Sequence, residues 1–233
     1  MMKNHPLNER YAIPPTTSLL IVGTAPPPRF SSSATANNRK RLDFEFFYGS
    51  EDSDMWPILE EIAEERERRK LFQDEDSSEK CCVSARGFLE RHGLWMRDVL
   101  DRFERKPDKA TSAIDPDIVK PKPDDFTRFR PIFASCPSLK MIAFTSQDAA
   151  RWTFKALDHQ GLIPAFSFSN ALTTWRKCSN VGSKYATPLL TNMIAENLVN
   201  FFLLPSPSPR SPESYEIKKR AYRTVLFEIP KQQ

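Results

Sequence analysis

The sequence predicts an α/β fold in three layers, α/β/α, with helices on both faces of a small, mostly parallel central sheet. Two observations carry this. Short apolar runs at Ser18–Gly23 and Leu139–Phe144 each end in a turn, and the second leads straight into a helical pattern; strands buried on both faces, the habit of parallel sheets, read in this way. A third run, Leu198–Leu204, is followed by a proline-rich loop and another helical pattern. Strands alternating with helices build a sheet that meets ligands at the carboxyl ends of its strands.

The first strand, Ser18–Gly23, empties into Pro26-Pro27-Pro28. The loop continues through Ser31-Ser32-Ser33 and the basic stretch Asn37-Asn38-Arg39-Lys40-Arg41 to Phe44, Phe46, Phe47 and Tyr48, a length that suggests function. Met55, Trp56, Leu59, Ile62 and Ala63 recur at helical spacing among Glu60, Glu61, Glu64, Glu65, Arg66 and Arg68, an amphipathic helix. Asp74–Lys80 reads as a charged turn before a second helix bearing Phe88 and Leu89, after which Gly93–Leu100 returns to the core. Glu104–Asp125, rich in Pro, Lys and Asp, is loop, and Asp125–Ala134 is helical. Beyond the second strand, Thr145-Ser146-Gln147 opens a helix with Ala150, Phe154 and Leu157.

Residues 161–188 read as irregular and aromatic, with Phe166, Phe168 and Trp175. Leu198–Leu204 is the third strand, although Asn192–Phe202 also satisfies a helical pattern. The last helix, Glu213–Leu226, carries Lys218, Lys219, Arg220 and Arg223. No internal repeat occurs. A single domain over residues 1–233 is expected, with variable loops at about 24–45, 104–125 and 161–188.

With 39% hydrophobic residues, 17 Phe and 4 Trp, the chain can fill a core, which excludes global disorder. A formal charge of +4 is too small to specify a partner by itself. Cys81, Cys82, Cys136 and Cys178 form no C-x-x-C pair, and no signal-peptide pattern precedes them; reduced thiols and an intracellular setting are expected. No run reaches the ~20 apolar residues of a membrane span. His5, His92 and His159 are scattered, so neither a metal nor another cofactor is expected.

Three segments stand at the carboxyl ends of the proposed strands: Gly23-Thr24-Ala25-Pro26, Thr145-Ser146-Gln147 and Leu204–Pro209. Together they resemble the uracil-DNA glycosylase superfamily, especially its mismatch-specific and hypoxanthine-type branches. Residues 22–27, Val-Gly-Thr-Ala-Pro-Pro, resemble the family's strand followed by Gly-x-x-Pro-Gly. Phe47–Leu59 resembles the segment where those branches carry an aromatic, then His-Pro-x-Asn, then Phe-Trp opening a helix. Leu204–Pro209 is similar to the Leu-Pro-Ser-x-Ser-Pro form of the last motif. The departures are Ala25, where uracil-excising members place Asp or Asn, Ser53, where the hypoxanthine-type branch has its active Asn, and Ser50-Glu51 in place of His-Pro.

The resemblance implies a uracil-DNA glycosylase-like fold, DNA as partner, and a monomer that hydrolyses the base–sugar bond of a flipped damaged, deaminated or modified base. The backbone of Gly23, Thr24 and Ala25 would line the base pocket and Tyr48 would stack on the base; the plainer readings are a strand-end turn and core packing. Asp52, Ser53 and Asp54 are the catalytic candidates, a carboxylate replacing the missing Asn; the commoner role of a Ser or Asp just before an amphipathic helix is to cap it. Pro205, Ser206, Pro207, Ser208, Pro209 and Arg210 would hold DNA, because alternating prolines fix the loop and leave the serines as donors, unless the stretch is a polyproline linker. Lys219 and its basic neighbours, with Arg39–Arg41, would touch phosphates or form a solvated face. Two further readings stay open: a glycosylase-like module that binds without excision, and a different α/β hydrolase, for which no nucleophile–His–acid set stands out.

Overall fold

The computed structural model describes residues 2–31, 43–164, 167–177 and 181–229. The basic stretch Arg39–Arg41, Phe166 and Cys178 lie outside the described residues. In chain order the first elements are β1 (Lys3–Asn4), α1 (Pro6–Arg10), β2 (Leu19–Gly23), α2 (Pro28–Ser31), α3 (Met55–Glu67) and α4 (Ser78–Arg91). There follow β3 (Leu94–Asp98), β4 (Arg102–Phe103), α5 (Phe129–Ser135), β5 (Met141–Phe144) and α6 (Gln147–His159). The chain continues with α7 (Phe168–Arg176), α8 (Val181–Ala186), β6 (Leu190–Ile194), β7 (Asn197–Leu203) and α9 (Tyr215–Arg223), which runs on into a π turn, Thr224–Glu228.

The central sheet has the order β3-β2-β5-β7-β6. Its first four strands are parallel and β6 is antiparallel to β7, so the expected mostly parallel sheet is found, with one antiparallel edge strand. β2 and β5 are buried at every position. That is why their sequences are continuous rather than alternating. From β2 the chain moves outward to β3, then jumps back across β2 to β5. The two crossovers run in opposite directions, so the right-handed connection that parallel strands follow as a rule puts α3 and α4 on one face and α5 and α6 on the other. The strand-order reversal lies between β2 and β5, where ligands are met in such sheets.

Register aligns the strand ends that matter. Gly23 pairs with Asp98, Val22 with Phe144, and Phe144 with Leu203. The loops after β2, β3, β5 and β7 therefore leave one edge.

Four stretches differ from the sequence reading. Gly93–Leu100 contains a full edge strand, β3, which Trp95 and Met96 bury in the core. Residues 161–188 are largely helical: Phe168, Leu172 and Trp175 share one face of α7, and the Ser167 hydroxyl accepts from the Asn170 N–H to cap it. The polar strand β6 pairs with β7 through a two-residue turn whose residues, Ala195 and Glu196, both have positive φ (47° and 69°). That is the twist a tight hairpin requires, and it decides the Asn192–Phe202 ambiguity in favour of strands. Asp74–Lys80 is shorter as a turn than expected, because α4 begins at Ser78, capped by Ser77. Among the described residues, no helix is long and apolar enough to cross a membrane.

Candidate active site

At the β2–β3 edge, Gly23 lies beneath two side chains. A Cβ at this position would meet both Asp98 Oδ1 and Tyr48 Oη at 2.2 Å. Glycine is needed here because the Asp98 carboxylate and the Tyr48 hydroxyl occupy the space a side chain would take. Asp98 ends β3 and is nearly buried; its Oδ2 accepts from His5 Nε2 at 2.7 Å. His5 Nδ1 accepts from the Asn8 N–H, so the ring proton is on Nε2 and points at the carboxylate. Asn8 further ties α1 to this strand end, donating to the Asp98 carbonyl and accepting from the Asp98 N–H.

Tyr48 reaches the same spot from the 43–50 loop. Phe44 N–H donates to the Gly49 carbonyl, and the Trp56 indole N–H donates to the Phe47 carbonyl, which pins the loop to α3. Between these anchors Tyr48 takes φ 57°, a conformation uncommon for a bulky residue and found mostly where function holds it. Thr145 Oγ1 donates to the Val22 carbonyl, leaving it to accept from Tyr48 Oη at 2.6 Å. Burial, and then the charge of Asp98, hold the Tyr48 hydroxyl well above its ordinary pKa. It stays a donor, and the ring is fixed against the strand ends.

Asp115 enters from the 104–125 loop. Its carboxylate accepts from Thr24 Oγ1 at 2.6 Å and from Ser146 Oγ at 3.2 Å, bridging the ends of β2 and β5. Burial pushes its pKa up to about 6, against those two hydroxyls and with help from Asp148 and Asp98. Between its ordinary 3.8 and about 6, the folded chain keeps a proton that the unfolded chain releases. Asp115 therefore lowers stability as pH rises through that window, and the loss is complete above it. Asp115→Asn is expected to lose less stability between pH 4 and 7 than the native chain, by on the order of 1–3 kcal/mol in urea unfolding. Parallel pH curves for the two proteins would remove the protonated carboxyl.

The proline loop closes the opposite wall. Three of its carbonyls turn inward: Pro205 accepts from Tyr222 Oη (3.1 Å), Pro207 from the Asp54 N–H (2.7 Å) and Ser208 from Lys218 Nζ (2.7 Å). The Ser206 and Ser208 hydroxyls accept from the N–H groups of Ser208 and Arg210, which leaves both hydroxyl protons to donate. The Ser206 N–H meets no acceptor among the described residues. With its carbonyls taken up by the fold and Ser206 and Ser208 lining the cleft as donors, the loop suits an anion.

These elements enclose a cleft of about 850 Å³. Thr24, Ala25, Tyr48, Asp52, Ser53 and Ser206–Arg210 line it, as do Asp98, Asp115, Thr145 and Ser146. Gly23, covered by Asp98 and Tyr48, and Pro205 both lie outside its lining. Asp52 is exposed and pairs with Arg29 at 2.9 Å, while Arg29 also grips Asp43 and Ser50. Ser53 Oγ accepts from the Met55 N–H at the start of α3. Asp54 lines no part of the cleft; its carboxylate takes Lys218 Nζ at 2.7 Å. Lys219 is also outside, paired with Glu61 and Glu65 of α3, and Arg223 joins Glu65.

The sequence reading missed Asp98, His5 and Asp115. The run Leu94–Asp98 carried a signal, since a strand there puts its terminal Asp at the same edge as Gly23. A separate hollow of about 590 Å³ beside β1 and β4 has Arg97 and Arg102 paired with Asp101 and Asp125. No group of three or more metal-ligating side chains occurs among the described residues.

No family model matches the chain, and no curated protein matches it. A solved structure is similar: the solution NMR structure of a candidate uracil DNA glycosylase from Methanosarcina acetivorans, 18% identical, covering 95% of this chain and 96% of that one with a TM-score of 0.47. A likeness of that degree transfers neither residue roles nor activity.

Proposed function

We propose that this chain is a DNA glycosylase that hydrolyses the base–sugar N-glycosidic bond of a flipped damaged, deaminated or modified base. One observation carries the reading. A carboxylate oriented by His5, a second carboxyl with a pKa near 6, a fixed aromatic ring and a donor-bearing proline loop converge on one cleft.

The bond breaks through an oxocarbenium-like sugar and a base that gains negative charge. In this reading Asp98 Oδ1 orients water beside the sugar and takes its proton as the water oxygen joins C1′. Asp115, protonated in part near neutral pH, gives its proton to the departing base nitrogen. The products are the free base and an abasic sugar, with every proton accounted for. Asp52, Ser53 and Asp54 are left as rim and helix-start residues; their engagement with Arg29, Met55 and Lys218 supports that division.

Tyr48 supplies the stacking face. Tyr48→Ala is expected to weaken binding to a lesion duplex by about 5- to 150-fold, the range of ~1–3 kcal/mol per stacked base, while Tyr48→Phe stays near the native value. Anisotropy titrations compare them, and equal affinities for both variants would take the ring out of base recognition. Ala25, at the position where uracil-excising members carry Asp or Asn, favours a second reading, a module that binds the base without cutting it. Alkali-revealed abasic sites separate the two.

A further inference from the structure

The cleft does not end at the proline loop. Past Ser206 it continues into a compartment of about 340 Å³, sharing Ser146, Asp148, Ser206 and Ser211 with the main cleft. Its far wall comes from α7 and α8, through Trp175, Arg176, Lys184 and Tyr185.

The cations here differ from those on α9. Lys219 and Arg223 are neutralised by glutamates of α3. Lys184 Nζ instead sits 4.5 Å from the centre of the Trp175 ring and 5.5 Å from that of Tyr185. Two π faces position its ammonium without cancelling its charge. Arg176 donates to the neutral Gln147 side chain at 3.0 Å. Neither cation has a carboxylate within ion-pair distance among the described residues. Of the compartment's own carboxylates, Asp148 pairs with Arg151, and Glu213 accepts from the hydroxyls of Ser211 and Tyr185 in the compartment wall.

We infer that this compartment binds a backbone phosphodiester of the nucleotide next to the flipped one, held by Lys184, Arg176 and the Ser206 N–H. A base is a poorer occupant, because Trp175 and Tyr185 are each only 5% exposed and offer no open stacking face. The inference rests on the glycosylase reading for its ligand. It reassigns the phosphate grip from the last helix to α7 and α8.

Salt dependence tests it. Each duplex phosphate that the protein no longer neutralises lowers the slope of log K against log salt by about 0.9. For a lesion duplex, Lys184→Met with Arg176→Met is expected to lower that slope by about 1, with the melting temperature retained, while Lys219→Met leaves it unchanged. Replacing the phosphodiester on one side of the lesion by neutral methylphosphonate is expected to weaken native binding and to have no effect in the double variant. Native binding to the lesion duplex with an unaltered slope in the double variant overturns this inference alone. So does a methylphosphonate penalty that persists in that variant. Absence of lesion-dependent binding by the native chain overturns both it and the glycosylase reading.

Discussion

Asp98→Asn is expected to lower single-turnover excision by about 10²- to 10⁴-fold, the usual contribution of a positioned acid or base, while lesion binding and the melting temperature stay near native. The substitution keeps the side chain's shape. An amide oxygen can still accept from His5 Nε2, which leaves the amide nitrogen over Gly23, where Oδ1 now stands. What is lost is an acceptor able to take a proton from water. Asp52→Asn serves as the contrast. Asp52 is half exposed and faces Arg29, so its loss is expected to change the rate only a few-fold, roughly the scale of an exposed ion pair. A silent Asp52→Asn with a crippled Asp98→Asn puts the chemistry on the β3 end. The reverse pattern would return it to the start of α3.

The largest stability effect is expected at Asp54. Lys218 is 2% exposed, and its ammonium rests on the Asp54 carboxylate and the Ser208 carbonyl. Removing the carboxylate strands a buried cation, which typically costs about 3–5 kcal/mol. For a chain of this size, Asp54→Ala is then expected to melt roughly 6–20 °C lower. Lys218→Met is expected to cost less, because Asp54 is 23% exposed and can turn to water. The same pair holds the proline loop, since the Asp54 N–H and Lys218 Nζ fix adjacent carbonyls. Both variants are expected to lose DNA affinity along with stability. Thermal unfolding decides it: a native melting temperature for Asp54→Ala would mean that Lys218 does not depend on its partner.

The strands read correctly from the sequence were those whose local chemistry is unambiguous. Leu19–Val22 and Met141–Phe144 are fully buried in a parallel sheet, and burial on both faces writes itself as continuous apolar residues. β6 was hidden because an edge strand with one exposed face is half polar, and its turn uses Ala195 and Glu196 rather than the usual Asn or Gly. α7 was hidden by its short length and its polar company.

The site divides in the same way. The positions of Thr24, Tyr48 and the proline loop follow from their places at strand ends, so a correct sheet brings them together. The partnership of His5 with Asp98 spans 93 residues of chain, and Asp115 reaches the cleft from a loop whose path no periodicity encodes. Charge likewise misleads without coordinates. Lys218, Lys219 and Arg223 look alike in sequence, yet one is a buried strut and two are bound to α3.

The most direct measurement incubates the native chain, in excess, with duplexes bearing a single uracil, hypoxanthine or modified pyrimidine, followed by alkali. Strand breakage at the lesion in at least one duplex, lost in Asp98→Asn, is the predicted result. Lesion-dependent binding with no abasic product would contradict it and leave a binding module in its place.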